Sequence, residues 1–309
     1  MASMVGNSRS AGVLSPDPSP EISSGRLGLR VQPADGGRIA EFWVRHPDGG
    51  RTDILVPMTV AGFPTHLWPK AGCYPLFPFS NRIRGGAFVA DGMNVRLPAH
   101  PGEEPHALHG FSQQRPWAIE DHAANCVAMI YEHRPDSWPW AFTARQLVNL
   151  DEQGLSVDMS IVNHSASPMP VGFGLHPYFA TDIGDEMTFD VTGDWRFDAA
   201  NIAVDWQERP ESGFTHIQDG TSLSHYFTGW QGRALLQRRK AGIAVAISAP
   251  APLDHFVFHV PPGGAYACLE PVSHVADAFN LATQGAGHTG HRTLGAGQTL
   301  AATIRIEVT

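Results

Sequence analysis

The sequence predicts an all-β protein built as an antiparallel sandwich or barrel. Short segments that alternate apolar and polar residues recur along the chain, and Gly, Pro, Asp and Asn separate them. Helical periodicity is limited to one short stretch. The chain has 309 residues and is 42% hydrophobic, so it can bury a large core. Because all-β folds commonly use more than about 200 residues as one unit, we expect a single domain.

The N-terminal segment differs in composition from the rest of the chain. Residues 1–24 are rich in Ser, Pro and Gly, and they lack the basic and apolar regions of a secretory signal. We expect them to be a flexible lead-in, followed by one β domain over residues 25–309. No apolar run reaches membrane-spanning length. We therefore expect a soluble, cytoplasmic protein that does not interact with membranes.

The predicted strands are the segments in which every second side chain is apolar. The clearest is residues 155–162, where Leu, Val, Met and Ile alternate with Ser, Asp and Ser. A helical stripe from Val275 to Ala282 is long enough for only one or two turns. The predicted strands are residues 27–31, 38–44, 155–162, 243–248, 255–260, 265–270 and 302–308.

Charge and cysteine content exclude several classes of protein. The formal net charge is −9, from 21 Lys and Arg against 30 Asp and Glu, and no basic run is present. We therefore expect no nucleic-acid partner. Cys73, Cys126 and Cys268 are the only cysteines and form no CxxC motif. A disulfide framework or a structural zinc site is not expected, and the composition fits a reducing compartment.

A metal site is one hypothesis, because the chain contains 16 histidines. The pairs His106/His109 and His255/His259 have spacings that metal ligands can use, as in a cupin-like metalloenzyme. No carboxylate lies in a recognisable ligand motif with either pair, so we favour hydrogen-bonded or surface histidines. The GxSxG, P-loop and GxGxxG signatures are absent, which leaves serine-hydrolase and nucleotide-binding functions without support.

The segment VGFGLHPYFA, residues 171–180, places Gly172, Gly174 and His176 on one face of a predicted strand. The glycines either let another backbone pack closely or leave room for a ligand beside the imidazole. Glu270 ends a second predicted strand. Both His176 and Glu270 precede a proline, which favours extended backbone. We expect both at strand ends, where the ladder stops, and such positions facing a concave sheet suit an acid and a base.

Four segments resemble the aldose 1-epimerase, or galactose mutarotase, family. The NRI, LHG, HPYF and LEP elements within them are short, but they are specific in combination, and the resemblance runs from about residue 26 to the C-terminus. It implies a large antiparallel β-sandwich, the galactose mutarotase-like supersandwich, with an open sugar-binding cleft and no cofactor or metal. The segments are PFSNRIRGGAF (78–88), HALHGF (106–111), GFGLHPYF (172–179) and CLEPVSHVADAFN (268–280).

The resemblance also implies roles for individual residues. His176 falls on the family's catalytic general acid and Glu270 on its general base. Gly172 and Gly174 would then clear the sheet face so that a pyranose can lie against His176. The expected substrate-binding residues are Asn81, Arg82, His109 and Ser224.

Ser224 is a departure from the family pattern. The family usually has an aspartate in a segment like LDHVFTGW, whereas residues 223–230 read LSHYFTGW. Serine is uncharged and can donate as well as accept hydrogen bonds. Without that carboxylate, the cleft would tolerate an anionic group on the sugar better, because like charges repel strongly in a partly dry pocket. Residues that could line such a pocket are Trp68, Lys70, Tyr74 and Arg84; the alternative for each is an ordinary loop residue beside the cleft.

The expected function is that of an isomerase, an aldose mutarotase that interconverts the α and β anomers of a sugar, with an acidic or otherwise modified aldose among the substrates considered. The alternative is a non-catalytic carbohydrate-binding or sensing protein on the same fold. Binding alone does not need an acid–base pair, so His176 and Glu270 favour the enzyme. The expected partner is a monosaccharide, and the expected assembly is a monomer or homodimer.

Overall fold

The computed structural model describes residues 19–218, 220 and 222–309. Within this part of the chain the structure contains 25 β-strands and a single α-helix of six residues, so the predicted all-β class is confirmed. Among these described residues, no helix is long and apolar enough to cross a membrane. Residues 1–18 of the predicted flexible lead-in lie outside the described residues.

The strands before residue 151 are mostly short, with β3, β11 and β12 the longest. Their bounds are β1 (Glu21–Ser24), β2 (Leu27–Gln32), β3 (Arg38–Arg45), β4 (Arg51–Asp53), β5 (Cys73–Leu76), β6 (Arg82–Ile83), β7 (Ala87–Ala90), β8 (Met93–Arg96), β9 (Ala107–Leu108), β10 (Ala118–Ala123), β11 (Cys126–His133) and β12 (Phe142–Leu150). The 3-10 helices are Pro33–Asp35, Thr65–Leu67, Arg84–Gly86 and Ser112–Gln114.

The remaining strands carry most of the predicted segments. They are β13 (Gly154–Asn163), β14 (Met169–Val171), β15 (Gly174–Pro177), β16 (Phe179–Ala180), β17 (Glu186–Phe197), β18 (Ala203–His216), β19 (Leu223–Thr228), β20 (Arg233–Arg238), β21 (Ile243–Ser248), β22 (His255–Val260), β23 (Tyr266–Val272), β24 (Arg292–Leu294) and β25 (Thr299–Val308). The helix α1 is Ala278–Thr283. All seven predicted strands are confirmed, as β2, β3, β13, β21, β22, β23 and β25, and α1 lies in the predicted helical stripe.

The predicted boundary of the flexible segment at Ser24 is wrong, because Glu21–Ser24 forms β1. This strand pairs with β2 through a tight turn in which Gly25 has φ 53°. Ile22 is only 1% exposed, so the strand buries an apolar side chain in the core. One apolar residue among polar neighbours is too weak a pattern to indicate a strand from sequence alone.

The strands form one continuous antiparallel ladder that folds over itself. It runs in the order β10–β11–β12–β13–β25–β21–β20–β17 and continues as β17–β19–β22–β23–β15–β5–β3–β2–β1. The far end returns to the beginning: β1 and β2 lie against β12, and the Ser23 N–H donates to the Ala124 carbonyl at 3.1 Å. The result is a two-layered sandwich.

The core between the layers follows from the alternation of the strands. In β13 the apolar residues Leu155, Val157 and Ile161 have no exposed surface, whereas the intervening residues are partly exposed. Burying one such side chain contributes roughly 1.5–3 kcal/mol. Large aromatic side chains, among them Trp138 and Trp140, belong to the same buried cluster and are at most 1% exposed. The cleft lies on the sheet face that this core supports.

Candidate active site

A cleft of about 500 Å³ opens over strands β15, β19, β22 and β23, and its volume is typical of small-molecule sites. Two strands of this face, β15 and β23, carry the predicted acid and base. The short β6 and the residue after β9 supply the rim. The structure thus brings together all six site residues expected from the sequence: Asn81, Arg82, His109, His176, Ser224 and Glu270.

The strand register explains why these side chains meet. Side chains two residues apart on a strand share a face, and cross-strand partners lie side by side. His176 is paired with Tyr74 of β5, and the pairing of Gly174 with Val272 puts His176 beside Glu270. Glu270 is paired with Val257. His176, Glu270 and Val257 therefore form one row of side chains across the floor of the cleft. A second, parallel row consists of Tyr178, Cys268, His259 and Ser224.

The expectation that the ladder stops at His176 and Glu270 is wrong. Both are on extended backbone, but β15 continues to Pro177, and β23 continues through Pro271 to Val272. Pro271 still occupies a register position, opposite Phe256. Proline lacks the N–H donor, but its fixed φ of about −65° is compatible with extended backbone, so a strand can pass through it at the cost of one ladder hydrogen bond.

His176 and Glu270 form the central pair of the site. The His176 Nε2 atom lies 3.3 Å from Glu270 Oε1, and the two residues are 8% and 3% exposed. Burial raises the pKa of Glu270 well above its usual value. Burial also lowers the pKa of His176 well below its usual value, and the nearby His109 and Lys70 act in the same direction. Both shifts favour the neutral form of each group.

Arg82 is held by a carboxylate that the sequence did not indicate. Its Nε and Nη2 atoms donate to the two carboxylate oxygens of Glu103, each at 2.8 Å. Its Nη1 atom donates to Asn81 Oδ1 at 3.3 Å and to the Tyr226 hydroxyl at 3.4 Å. This bidentate pair fixes the guanidinium plane and compensates its charge. The pair offers a sugar both donors and acceptors at the rim of the cleft.

His109 and Asn81 hold each other in place. Both have left-handed backbone, with φ 58° in each case. The Asn81 N–H donates to His109 Nδ1 at 3.1 Å, and the His109 N–H donates to the Asn81 carbonyl at 2.9 Å. Because Nδ1 accepts, the proton of the neutral imidazole lies on Nε2. Burial lowers the pKa of His109 well below its usual value, so this residue offers the cleft a neutral N–H donor.

Ser224 lies opposite His259 on the neighbouring strand. Its hydroxyl is 3.3 Å from His259 Nδ1, so a hydroxyl–imidazole pair occupies the wall where the family pattern has a carboxylate.

Lys70 and Trp68 line the cleft as expected. Tyr74 and Arg84 do not: Tyr74 packs against His176, and Arg84 forms an ion pair with Asp198 at 2.8 Å.

The expectation that Gly172 and Gly174 leave room for a sugar is wrong. A Cβ atom at Gly172 would lie 1.9 Å from His274 Cδ2, and one at Gly174 would lie 2.6 Å from the Pro271 carbonyl oxygen. The glycines therefore allow close packing of neighbouring protein, which was the first of the two alternatives. His274 cannot move aside easily, because its Nε2 accepts from Ser80 and its Nδ1 lies 2.8 Å from the Val275 carbonyl.

One group in the described residues has the composition of a metal site. His176, Cys268 and Glu270 each offer a ligand atom within 4.8 Å of the others. Burial raises the pKa of the Cys268 thiol well above its usual value, which disfavours the thiolate that binds metals strongly. The histidine pairs that the sequence suggested, His106/His109 and His255/His259, belong to no such group in the described part of the chain.

Comparison with known proteins decides the family. Residues 26–307 match the profile of the aldose 1-epimerase family. The chain belongs to this family. The uncharacterized Escherichia coli K12 protein YphB is 30% identical over 268 residues, which are 83% of this chain and 88% of YphB. The uncharacterized YihR of the same organism is 28% identical over 120 residues, 38% of this chain and 39% of YihR.

Solved structures of aldose 1-epimerase relatives share the fold. A protein from Escherichia coli K12 described as a candidate aldose 1-epimerase has a TM-score of 0.81 and 25% identity, covering 94% of this chain and 99% of its own. A galactose mutarotase-like protein from Clostridium acetobutylicum has a TM-score of 0.78 and 17% identity, with 94% of each chain covered. The expected galactose mutarotase-like sandwich is therefore confirmed, and the aldose 1-epimerase family is one of isomerases.

Proposed function

We propose that this protein is an aldose mutarotase, in which His176 is the general acid and Glu270 the general base. The observation that carries the proposal is the pair itself, with Nε2 and Oε1 3.3 Å apart on the floor of a cleft large enough for a monosaccharide. The two atoms are close enough to reach adjacent oxygens of one sugar ring. A carbohydrate-binding protein would have no need to bury such a pair.

The reaction needs one group that accepts a proton and one that donates it. Glu270 takes the proton of the anomeric hydroxyl as the bond from C1 to the ring oxygen breaks and the C1 carbonyl forms. His176 gives its proton to the ring oxygen, which becomes a hydroxyl. Rotation about the C1–C2 bond presents the other face of the aldehyde. The same two groups then act in reverse to close the ring.

The protonation of the pair follows from its burial. The pKa of Glu270 is raised and that of His176 is lowered, mainly by burial, so the pair as a whole holds one proton over a wide pH range. Hydrogen bonds from sugar hydroxyls to Glu270 favour its carboxylate form. Activity should fall at low pH, when the pair takes up a second proton, and at high pH, when it loses the one it holds.

His109 should bind the sugar without moving a proton. His109→Ala removes a neutral donor from the wall, so we expect the KM to rise by roughly 10-fold or more, as for a buried hydrogen bond left unmade. Activity should still fall at both low and high pH (the acid and basic limbs of the profile), since the lowered pKa of His109 keeps it neutral near neutral pH. Arg82→Ala should act in the same way. Loss of either limb in the His109→Ala enzyme would instead assign His109 a role in proton transfer.

For the substrate we propose an aldose that carries an anionic group. Lys70 lies over the Trp68 ring, with Nζ 4.2 Å from its centroid, and no carboxylate in the described residues is within ion-pair distance of it. His100 adjoins the same Trp68 ring at 5.4 Å. Its Nδ1 accepts from Gly102, which leaves Nε2 as a buried donor without a partner in the described residues. An unpaired cation and an unused donor suit an anion.

The experiment is an NMR measurement of α/β exchange across neutral and acidic aldoses. We expect acidic aldoses to have the higher kcat/KM, and Lys70→Met to lower the ratio of acidic to neutral kcat/KM by about 10- to 100-fold, as expected for a hydrogen bond to a charged group. Lys240→Met is the matched control, because Lys240 is the only other lysine and pairs with Asp182. If galactose and glucose are turned over best, the anionic substrate is excluded and the mutarotase proposal stands.

A further inference from the structure

The catalytic imidazole lacks the hydrogen bond that usually orients such a ring. Catalytic histidines are commonly held through the nitrogen that does not react, by a carboxylate or a backbone carbonyl. Here the Nδ1 atom of His176 is buried and has no hydrogen-bond partner among the described residues. The Nε2 atom lies 3.3 Å from Glu270, the residue with which it acts. The ring plane therefore lacks the hydrogen bond through Nδ1 that usually fixes it, and contacts with the neighbouring rings can take its place.

Two tyrosine rings pack against this imidazole in near-parallel orientation. The Tyr74 ring lies 4.6 Å from the His176 ring at an interplanar angle of 27°. The Tyr178 ring lies 4.8 Å away at 22°. The two tyrosines are themselves 6.2 Å apart, so the three rings form a compact triangle. Tyr74 does not line the cleft, so its contact with His176 is separate from any contact with substrate.

Each tyrosine is held by a further side chain. The indole N–H of Trp68 donates to the Tyr178 hydroxyl at 3.0 Å. The guanidinium of Arg38 lies over the Tyr74 ring, with Cζ 4.4 Å from its centroid. Arg38 has no exposed surface and no carboxylate within ion-pair distance in the described part of the chain. It donates to the Asp35 carbonyl at 2.8 Å, to Gln113 Oε1 at 2.9 Å and to the Gln113 carbonyl at 3.5 Å.

A buried cation without a counter-ion is costly unless another interaction compensates it. The face of Tyr74 provides that compensation, because the negative face of an aromatic ring attracts a desolvated guanidinium. Arg38 comes from β3, whereas Tyr74 comes from β5 and His176 from β15. The Arg38–Tyr74 and Tyr74–His176 contacts therefore link three neighbouring strands next to the proposed acid.

We propose that Tyr74 and Tyr178, with Arg38 behind Tyr74, are positioning residues that hold the imidazole of His176 in its reactive orientation by ring packing instead of a hydrogen bond. This inference rests on the proposed acid role of His176. It assigns no proton transfer to the tyrosines. Their contribution is to keep Nε2 aligned with Glu270 and with the bound ring oxygen, and displacement of a catalytic group by about 1 Å can cost about 10²-fold in rate.

The first test compares Tyr74→Leu with Tyr74→Phe. The leucine removes the ring, so we expect kcat to fall by about 10- to 100-fold while KM changes by less than about twofold. The phenylalanine keeps the ring and should restore most of kcat. The matched control is Tyr131→Leu, which truncates another tyrosine that is 5% exposed and lies outside the cleft. Thermal melting should show that both leucine variants are folded.

The pH profile gives a second readout that a purely structural role would not move. Several charged or titratable groups face His176: Glu270 and Cys268 from β23, His259 from β22, Tyr74 from β5, Tyr178, His109, Lys70 and Arg38. Burial lowers the pKa of His176 most, and His109, Lys70, His259 and Arg38 lower it further. Loss of the Arg38 charge therefore raises this pKa, so in Arg38→Met the acid limb of the pH profile should move to higher pH. Arg38→Lys should move it less.

The orientation itself can be observed without any activity, from the NMR signals of histidines labelled with ¹³C. The His176 signal, assigned by its loss in His176→Asn, should be sharp and shifted by ring currents in the wild type. In Tyr74→Leu it should broaden, in addition to the shift that loss of the Tyr74 ring current causes by itself, and in Tyr74→Phe it should stay sharp. A Tyr74→Leu enzyme with the kcat of the Tyr131→Leu control, or with a His176 signal as sharp as in the wild type, would overturn the proposal. A wild type without anomer exchange would remove the proposed function, and the NMR comparison would still decide the positioning.

Discussion

Glu270→Gln is expected to slow anomer exchange by roughly 10²–10⁴-fold, the range associated with general acid–base catalysis, while sugar affinity changes little. Glutamine keeps the shape of the side chain and one acceptor oxygen, so contacts with sugar hydroxyls are largely retained. It cannot take up the proton of the anomeric hydroxyl. Because Glu270 is 3% exposed, bulk water cannot easily replace it as the base.

The measurement is the rate of α/β exchange by NMR, together with the affinity for the sugar by calorimetry. Glu103→Gln is a matched control, because Glu103 is the other carboxylate among the described residues that line the cleft, and it pairs with Arg82. That variant should weaken binding more than it slows the chemical step. A Glu270→Gln protein that interconverts anomers at the wild-type rate would contradict the mechanism and favour the non-catalytic carbohydrate-binding alternative.

Much of the fold could be predicted because the strands that form the core alternate strictly. In β13, apolar residues at every second position have no equally good helical arrangement. The prediction failed where the conformation of a segment depends on a contact with residues distant in the sequence. Glu21–Ser24 forms a strand in which Ile22 reaches the core, and β23 passes through Pro271, which keeps its register position opposite Phe256. Neither effect is encoded within a few residues of the position concerned.

The candidate site likewise has residues that the sequence predicted and residues that it did not. Motifs placed His176 and Glu270 correctly in one cleft, because the family pattern carries the register of two neighbouring strands. The motifs did not indicate Glu103. Its role is to form a bidentate ion pair with Arg82, which lies 21 residues earlier in the chain, and no local sequence pattern marks such a pair. The expectation for Gly172 failed for a similar reason. A glycine in a strand indicates that some group packs close to the backbone, but only the structure shows that this group is the His274 side chain.

His176→Asn should reduce the exchange rate by a similar factor, about 10²–10⁴-fold, and should also change the shape of the pH profile. The variant loses ring packing against Tyr74 and Tyr178 but no hydrogen bond of Nδ1 to the described residues, so we expect it to remain folded, which thermal melting checks. Asparagine can still contact the sugar, but it cannot deliver a proton to the ring oxygen. Binding should therefore be mostly retained.

The two variants should have complementary pH profiles. In His176→Asn the residual activity depends on Glu270 as base, so it should rise as pH passes the raised pKa of this carboxyl group and then level off. In Glu270→Gln it depends on protonated His176, so it should be greatest at low pH and fall as pH rises through the lowered pKa of the imidazole. The double variant should be little slower than either single variant, because the two groups act as a unit. A His176→Asn enzyme that keeps both limbs at the wild-type midpoints would mean that another group in the cleft supplies the proton.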